Sequence, residues 1–188
     1  MKILLLSFIT LLPLTLLFNQ STELSNIKIA RDKWGVPHIY APTDKEVAYG
    51  LAWVQCEDDF KTLQEQMLAI RGRYGEVKGM EGIVLDFGIK FMGLREVVEE
   101  RYEKDLSPEF QELLSHYVDA VNSYAALHPE EVLLKKLFPL KEHDIVIGYL
   151  MGMVGLSGAQ KDLEGILSGR FNDDSPPKGS NAIALSSK

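Results

Sequence analysis

The chain has 188 residues, 46% of them hydrophobic, enough to bury one substantial core. Its formal charge is −7 and no basic block appears, which excludes nucleic acid as a partner, because phosphate binding needs clustered lysine and arginine. A single cysteine, Cys56, rules out an internal disulfide, and the four histidines (His38, His116, His128 and His143) lack the spacing of a transition-metal site.

The N-terminus opens with Met1-Lys2 and then an uncharged apolar run from Ile3 to Phe18. A basic start followed by a run this short suits a secretory signal peptide, since a membrane span needs about 20 apolar residues. Pro13 in the middle of the run also weakens it as an anchor. Residues 1–22 are therefore set apart as a signal peptide. Export, to a periplasm, is the expectation, and the membrane is a partner only if this segment stays uncleaved.

From Ile27 the pattern turns extended. Ile27 and Ile29 flank Lys28, Asp32-Lys33-Trp34-Gly35 makes a turn, and a second strand follows to Ala41, with Pro37 at its start or on an edge. This predicts a β-hairpin in which Arg31 and Asp32 are structural and His38 packs. Thr43-Asp44-Lys45-Glu46 fits a capping box, so a long helix should run to about Arg71. Val47, Leu51, Val54, Phe60, Leu63, Met67 and Ile70 mark its buried side. A glycine-punctuated connection over 72–82 leads to a helical stretch over 85–104.

Ser107-Pro108 is a helix start with an N-cap and proline at the first position. Phe110, Leu113, Leu114, Tyr117, Val118, Val121 and Tyr124 then repeat at helical spacing until His128-Pro129. A last helix over 142–155 is apolar nearly all round and is expected to be buried. A short helical piece is expected over 162–167. The segment RFNDDSPPKG is polar and rich in breakers, and the final Asn181 to Leu185 reads as a strand.

Three stretches carry a resemblance. Residues 29–41, IARDKWGVPHIYA, resemble the opening signature of the penicillin acylase family of N-terminal-nucleophile amidohydrolases. Residues 49–60, YGLAWVQCEDDF, are similar to the helix that follows it there, with Asp58 on the family's regular aspartate. Asp59 departs from the arginine of many members and looks more like the acyl-homoserine-lactone and aculeacin acylase branch. Gly179-Ser180-Asn181-Ala182 resembles the autoprocessing junction.

The resemblance implies an α+β fold. The full protein would be an αββα sandwich, and this segment its mostly helical part with an N-terminal hairpin and a C-terminal strand. It implies a signal peptide over 1–22, an α-chain region over 23–168, a spacer over 169–179 and the start of a β chain over 180–188. The chain as given would be inactive without the remaining β chain, its obligate heterodimer partner. The substrate would be a small-molecule acyl amide: penicillin-type, an N-acyl-homoserine lactone or a lipopeptide.

Within that reading Ser180 is the nucleophile. Freed by cleavage after Gly179, its own α-amine, with an ordinary pKa of about 8, serves as the base. Taken alone, Gly-Ser-Asn-Ala is a turn before a strand. Met153, Leu156 and Ser157 fall where the family lines its acyl pocket, although Met153 also reads as a core methionine. No cofactor is needed for catalysis. Asp162 or Glu164 falls near the family's structural calcium ligand, and an exposed helix carboxylate is the plainer reading of both. Cys56 reads as a small buried hydrophobe. The alternative from another class is a non-enzymatic helical binding domain, exported or membrane-anchored.

Overall fold

The computed structural model describes residues 26–157. Two strands, β1 (Lys28–Arg31) and β2 (Pro37–Tyr40), precede six helices. These are α1 (Asp44–Ile70), α2 (Gly75–Lys78), α3 (Met80–Phe91), α4 (Leu94–Asp105), α5 (Pro108–Leu127) and α6 (Glu142–Ser157), with a short 3-10 turn at Lys135–Leu137 before α6. The segment is mostly helical with one antiparallel two-stranded sheet, as expected. The predicted C-terminal strand, the helical piece over 162–167 and the apolar run Ile3–Phe18 lie outside the described residues. No helix among the described residues is long and apolar enough to cross a membrane.

The hairpin pairs Ile29 with Ile39 and Arg31 with Pro37, so Pro37 takes the first position of its strand, where a missing N–H is tolerated. Asp32 builds the turn: its Oδ1 accepts the N–H groups of Trp34 at 2.8 Å and Val36 at 3.0 Å. The Trp34 bond leads in holding the Asp32 carboxyl below its ordinary pKa. Arg31 does not pair with Asp32. It reaches α1, meeting Glu57 at 3.0 Å and Asp58 at 2.7 Å. His38 is half-exposed, with Asp32 3.6 Å away, so it is not the packing residue that the sequence suggested. The hairpin lies so close to α1 that a Cβ on Gly50 would sit 2.7 Å from Ile39 Cγ2.

Helix α1 begins as its capping signal requires, with Glu46 Oε2 accepting the Thr43 N–H at 3.1 Å and its hydroxyl at 2.8 Å. It breaks once, at Asp59, whose φ of −159° and ψ of 69° are not helical. The Asp59 side chain restarts the helix by accepting the Thr62 N–H at 3.0 Å. Beyond the break, Phe60, Leu63, Met67 and Ile70 are buried as expected. Val47 and Leu51, expected in the core, are exposed, because the helices packed on α1 leave that side of its first half open.

Helix α5 packs against α1 through Leu114, Val118, Val121 and Tyr124, with Ser107 Oγ capping the Phe110 N–H. An aromatic run crosses this seam: Trp53 and Phe60 both meet the Tyr124 ring, at 5.4 and 5.0 Å between centroids. Contacts of this kind add about 0.5–1.5 kcal/mol beyond burial. The stretch expected as helical over 85–104 is two helices, α3 and α4, divided at Met92–Gly93.

Buried polar side chains hold the connection between α5 and α6. Gln64, fully buried in α1, donates to the Glu131 carbonyl at 3.0 Å and accepts the Leu133 N–H at 2.8 Å. Asn122 does the same for Leu140, accepting its N–H at 2.7 Å and donating to its carbonyl at 3.1 Å. Asp144, 1% exposed in the first turn of α6, is met by Arg71 at 2.6 Å and Arg95 at 3.1 Å. It also accepts the Lys141 N–H at 2.9 Å. Arg71 continues to the Leu137 carbonyl and, at 2.9 Å, to that of Pro139.

Helix α6 departs from expectation. Ile145 and Ile147 are buried, but Tyr149, Met153 and Leu156 stand 67–90% exposed. Apolar residues all round the helix do not find partners all round it among the described residues.

Burial pushes the Asp144 carboxyl upward, but the hydrogen bonds from Arg71, Lys141 and Arg95 outweigh it and hold the pKa below its ordinary value. A depressed pKa contributes stability above the unfolded carboxyl value of about 3.9, and that stability is lost as pH falls through the lower folded value. Asp144→Asn should therefore cost about 3–5 kcal/mol at pH 7, because two arginines are left without their counter-charge. Urea unfolding at pH 7 and at steps below pH 4 checks this, and the gap to the parent should narrow as pH falls.

Candidate functional site

A cavity of about 800 Å³ opens between α1, α5 and α6. Its floor is core: Met67 and Ile70 of α1, Leu114 of α5 and Ile145 of α6. Its upper walls are the side chains that the core leaves uncovered, namely Leu51, Phe110, Leu113, Tyr149, Met153 and Leu156. The long apolar face of α5 thus serves two purposes. Its later residues seal the seam with α1, and its first two turns face the groove.

Glycines shape the α6 wall. A Cβ on Gly148 would lie 2.9 Å from Ile70 Cδ1, so a bare backbone lets α6 settle against the end of α1. At Gly152, one turn on, a Cβ would meet nothing within 4 Å among the described residues, and the space it leaves belongs to the groove.

Among the described residues, none of the side chains lining this groove is charged, and the polar ones are Gln55, Gln66, Tyr117 and Tyr149. Tyr117 donates its hydroxyl to Gln55 Oε1. Burial pushes the Tyr117 phenol up to about 12, so it stays neutral and acts as a hydrogen-bonding group only. The described lining suits apolar matter.

Of the residues that the sequence singled out, Met153 and Leu156 come together on the groove wall. Ser157 does not join them: it is exposed at the end of α6, where its hydroxyl donates to the Val154 carbonyl at 2.7 Å. Gly179, Ser180, Asp162 and Glu164 lie outside the described residues. Sequence reasoning missed Leu51 as a groove residue, and it missed Tyr149, Gly152 and the Tyr117–Gln55 pair altogether. A signal for the α6 side was present. Ile145, Tyr149, Gly152 and Leu156 recur at i, i+4, i+7 and i+11, which places them on one side of a helix.

Away from the groove, His128, Glu130 and Glu131 bring ligand atoms within 4.8 Å of one another. They do not suit the calcium expected from the sequence, since that ion takes roughly six to eight oxygen ligands and this group offers two carboxylates and a ring nitrogen. The imidazole stacks on Tyr124 at 4.2 Å and lies 3.5 Å from Glu131, which makes it a surface ion pair when protonated. Cys56 is buried in the core, and burial drives its thiol up to about 12, so it is no nucleophile.

The model of the penicillin amidase family matches residues 26–188. Penicillin G acylase of Escherichia coli is 30% identical over 115 residues, which are 60% of this chain and 14% of that protein. Acyl-homoserine lactone acylase PvdQ of Pseudomonas savastanoi pv. phaseolicola is 25% identical over 125 residues, 62% of this chain and 16% of that protein. Among solved structures, a thermostable penicillin G acylase from Alcaligenes faecalis shares the fold at a TM-score of 0.56 and 18% identity, over 84% of this chain and 98% of that chain. The chain therefore spans a small part of the curated relatives and nearly all of the solved chain.

Gly152→Leu should fill the groove without straining the fold. The added side chain has open space, and leucine favours a helix by about 0.8 kcal/mol over glycine. Thermal unfolding should show an equal or raised Tm, while titration with an apolar fluorescent dye should show weakened binding.

Proposed function

The chain belongs to the penicillin amidase family, and from that premise we propose that it is the α-chain portion of an exported acyl-amide hydrolase. The groove between α1, α5 and α6 receives the apolar acyl group of the substrate. The observation that carries this is the composition of the groove, about 800 Å³ of mostly apolar wall and floor with no charged side chain among the described residues. An acyl chain or aromatic ring suits such walls, whereas a charged headgroup would lose its hydration there without a partner. Penicillin-type amides, N-acyl-homoserine lactones and lipopeptides all carry an acyl group of this kind.

In this reading Ser180 does the chemistry. Its hydroxyl attacks the Gly179 carbonyl, the Gly179–Ser180 amide bond breaks, and the Gly179 acyl group moves to Ser180 Oγ as an ester. Water hydrolyses the ester, leaving a carboxylate on Gly179 and a free amine and hydroxyl on Ser180. The same hydroxyl then attacks a substrate amide, with the α-amine taking its proton and passing it to the departing amine. Water finally releases the acyl group from Ser180 Oγ. Oxyanion donors and the rest of the pocket come from the β chain, which remains associated as a partner. Any structural calcium, with Asp162 or Glu164 among its ligands, stands apart from these steps.

Intact mass and N-terminal sequencing of the protein made from the longest reading frame containing this segment provide the test. A large fragment beginning Ser-Asn-Ala-Ile, absent in Ser180→Ala, is the expected result. One uncut chain in both proteins overturns the role of Ser180 and favours a helical binding domain.

The groove makes a second, separate demand. Each methylene buried contributes about 0.8 kcal/mol, so kcat/KM should rise about fourfold per added methylene of a linear acyl amide until the groove is full. Leu156→Asp should flatten that slope while leaving stability within about 0.5 kcal/mol, since Leu156 is 90% exposed among the described residues.

A further inference from the structure

Helix α3 turns its apolar side outward. Its buried residues are Gly82 and Ile89, while Met80, Ile83, Val84, Phe87 and Phe91 are exposed, four of them by 70% or more. The other four follow Met80 at spacings of 3, 4, 7 and 11 residues, so the five form one stripe along the helix. The Phe87 and Phe91 rings stack at 6.3 Å. Asp86 is turned away from the stripe, its carboxylate accepting the N–H groups of Tyr74 at 2.8 Å and Gly75 at 2.9 Å. A continuous apolar face of this kind is uncommon on a surface that meets only water.

We infer that the α3 stripe is a docking surface for the remaining polypeptide of the same protein, separate from the groove that holds the acyl group. The inference rests on the reading of this chain as the α-chain portion of a longer protein. Three observations choose this occupant. The matched stretch is 14% of the Escherichia coli penicillin G acylase and 16% of the PvdQ acylase, so in those relatives a much larger remainder accompanies it. A lipid surface is a poor match, because interfacial helices carry lysine and arginine on their polar side, whereas α3 has Glu81, Asp86 and a single Lys90 in a chain of charge −7. A second copy is also a poor match: a 12-residue helix, roughly 18 Å long, offers less than the ~800 Å² per partner of a stable dimer.

Thiol labelling of the full-length protein from the longest reading frame tests this. Cys56 is buried with its thiol at about 12 and stays silent, so Val84→Cys reports the stripe and Lys104→Cys, at an exposed site on α4, serves as the control. Phe91→Cys gives an independent second position on the stripe. The stripe cysteines should label about tenfold or more slowly than the control in the native protein, and at the same rate in urea once the Cys56 labelling of the parent protein is subtracted. Equal native rates overturn the inference. So does protection that disappears on dilution, which means a second copy, or protection that appears only with added lipid vesicles. A reading frame that stops at Lys188 also overturns it. Protected stripe cysteines in an uncut Ser180 protein would remove the cleavage reading and leave this interface standing, and cleavage with unprotected cysteines would do the reverse.

Discussion

A carboxylate buried at the start of α6 has to be neutralised where it lies, and the rest of the helical body is arranged around that requirement. Asp144 draws Arg71 from the end of α1 and Arg95 from α4, so three helices meet at one charge. Arg71 spends its remaining donors on the carbonyls of Leu137 and Pro139 and ties in the approach to α6 as well. Breaking a buried pair is costly even where building one gains little. The arrangement therefore acts as a register mark: α6 leaves this point in one direction.

That direction gives the groove its shape. Gln64 and Asn122 hold the segment between α5 and α6 by backbone hydrogen bonds made in both directions, so the base of α6 is anchored on two sides. Further along the helix the anchoring stops. Gly148 keeps the helix against Ile70, and beyond it Tyr149, Met153 and Leu156 extend over apolar space. Charges gather where the helices converge, and the described lining of the groove contains none.

Features that depend on near neighbours in sequence were legible. The Thr43–Glu46 and Ser107–Phe110 caps close within three residues, and Asp32 satisfies its turn within four. Features that depend on distant residues were not. Arg71 and Asp144 are 73 residues apart, and nothing in either neighbourhood announces the pair. An apolar residue in a helix shows that it needs cover but not which element supplies it. Leu51 was read as core for that reason, and it turns out to face the groove. Tyr149 and Gly152 lay inside a helix whose apolar residues run all round it, and that pattern concealed which side stays open. Asp59 was read as a departure from the family's usual residue, while its capping of Thr62 is a local role that the backbone break reveals.

Cys56 belongs to the core cluster that includes Tyr49, Phe60 and Tyr124, and it is 1% exposed. Burial pushes its thiol up to about 12, which keeps it protonated at neutral pH. A lone cysteine has no partner within the chain, and in oxidising surroundings an accessible one would cross-link neighbouring molecules. Here the tertiary fold protects it in place of a disulfide bond. Unfolded or partly made chains lack that shelter, so the interval before the helices close is when this protein is most open to oxidative damage.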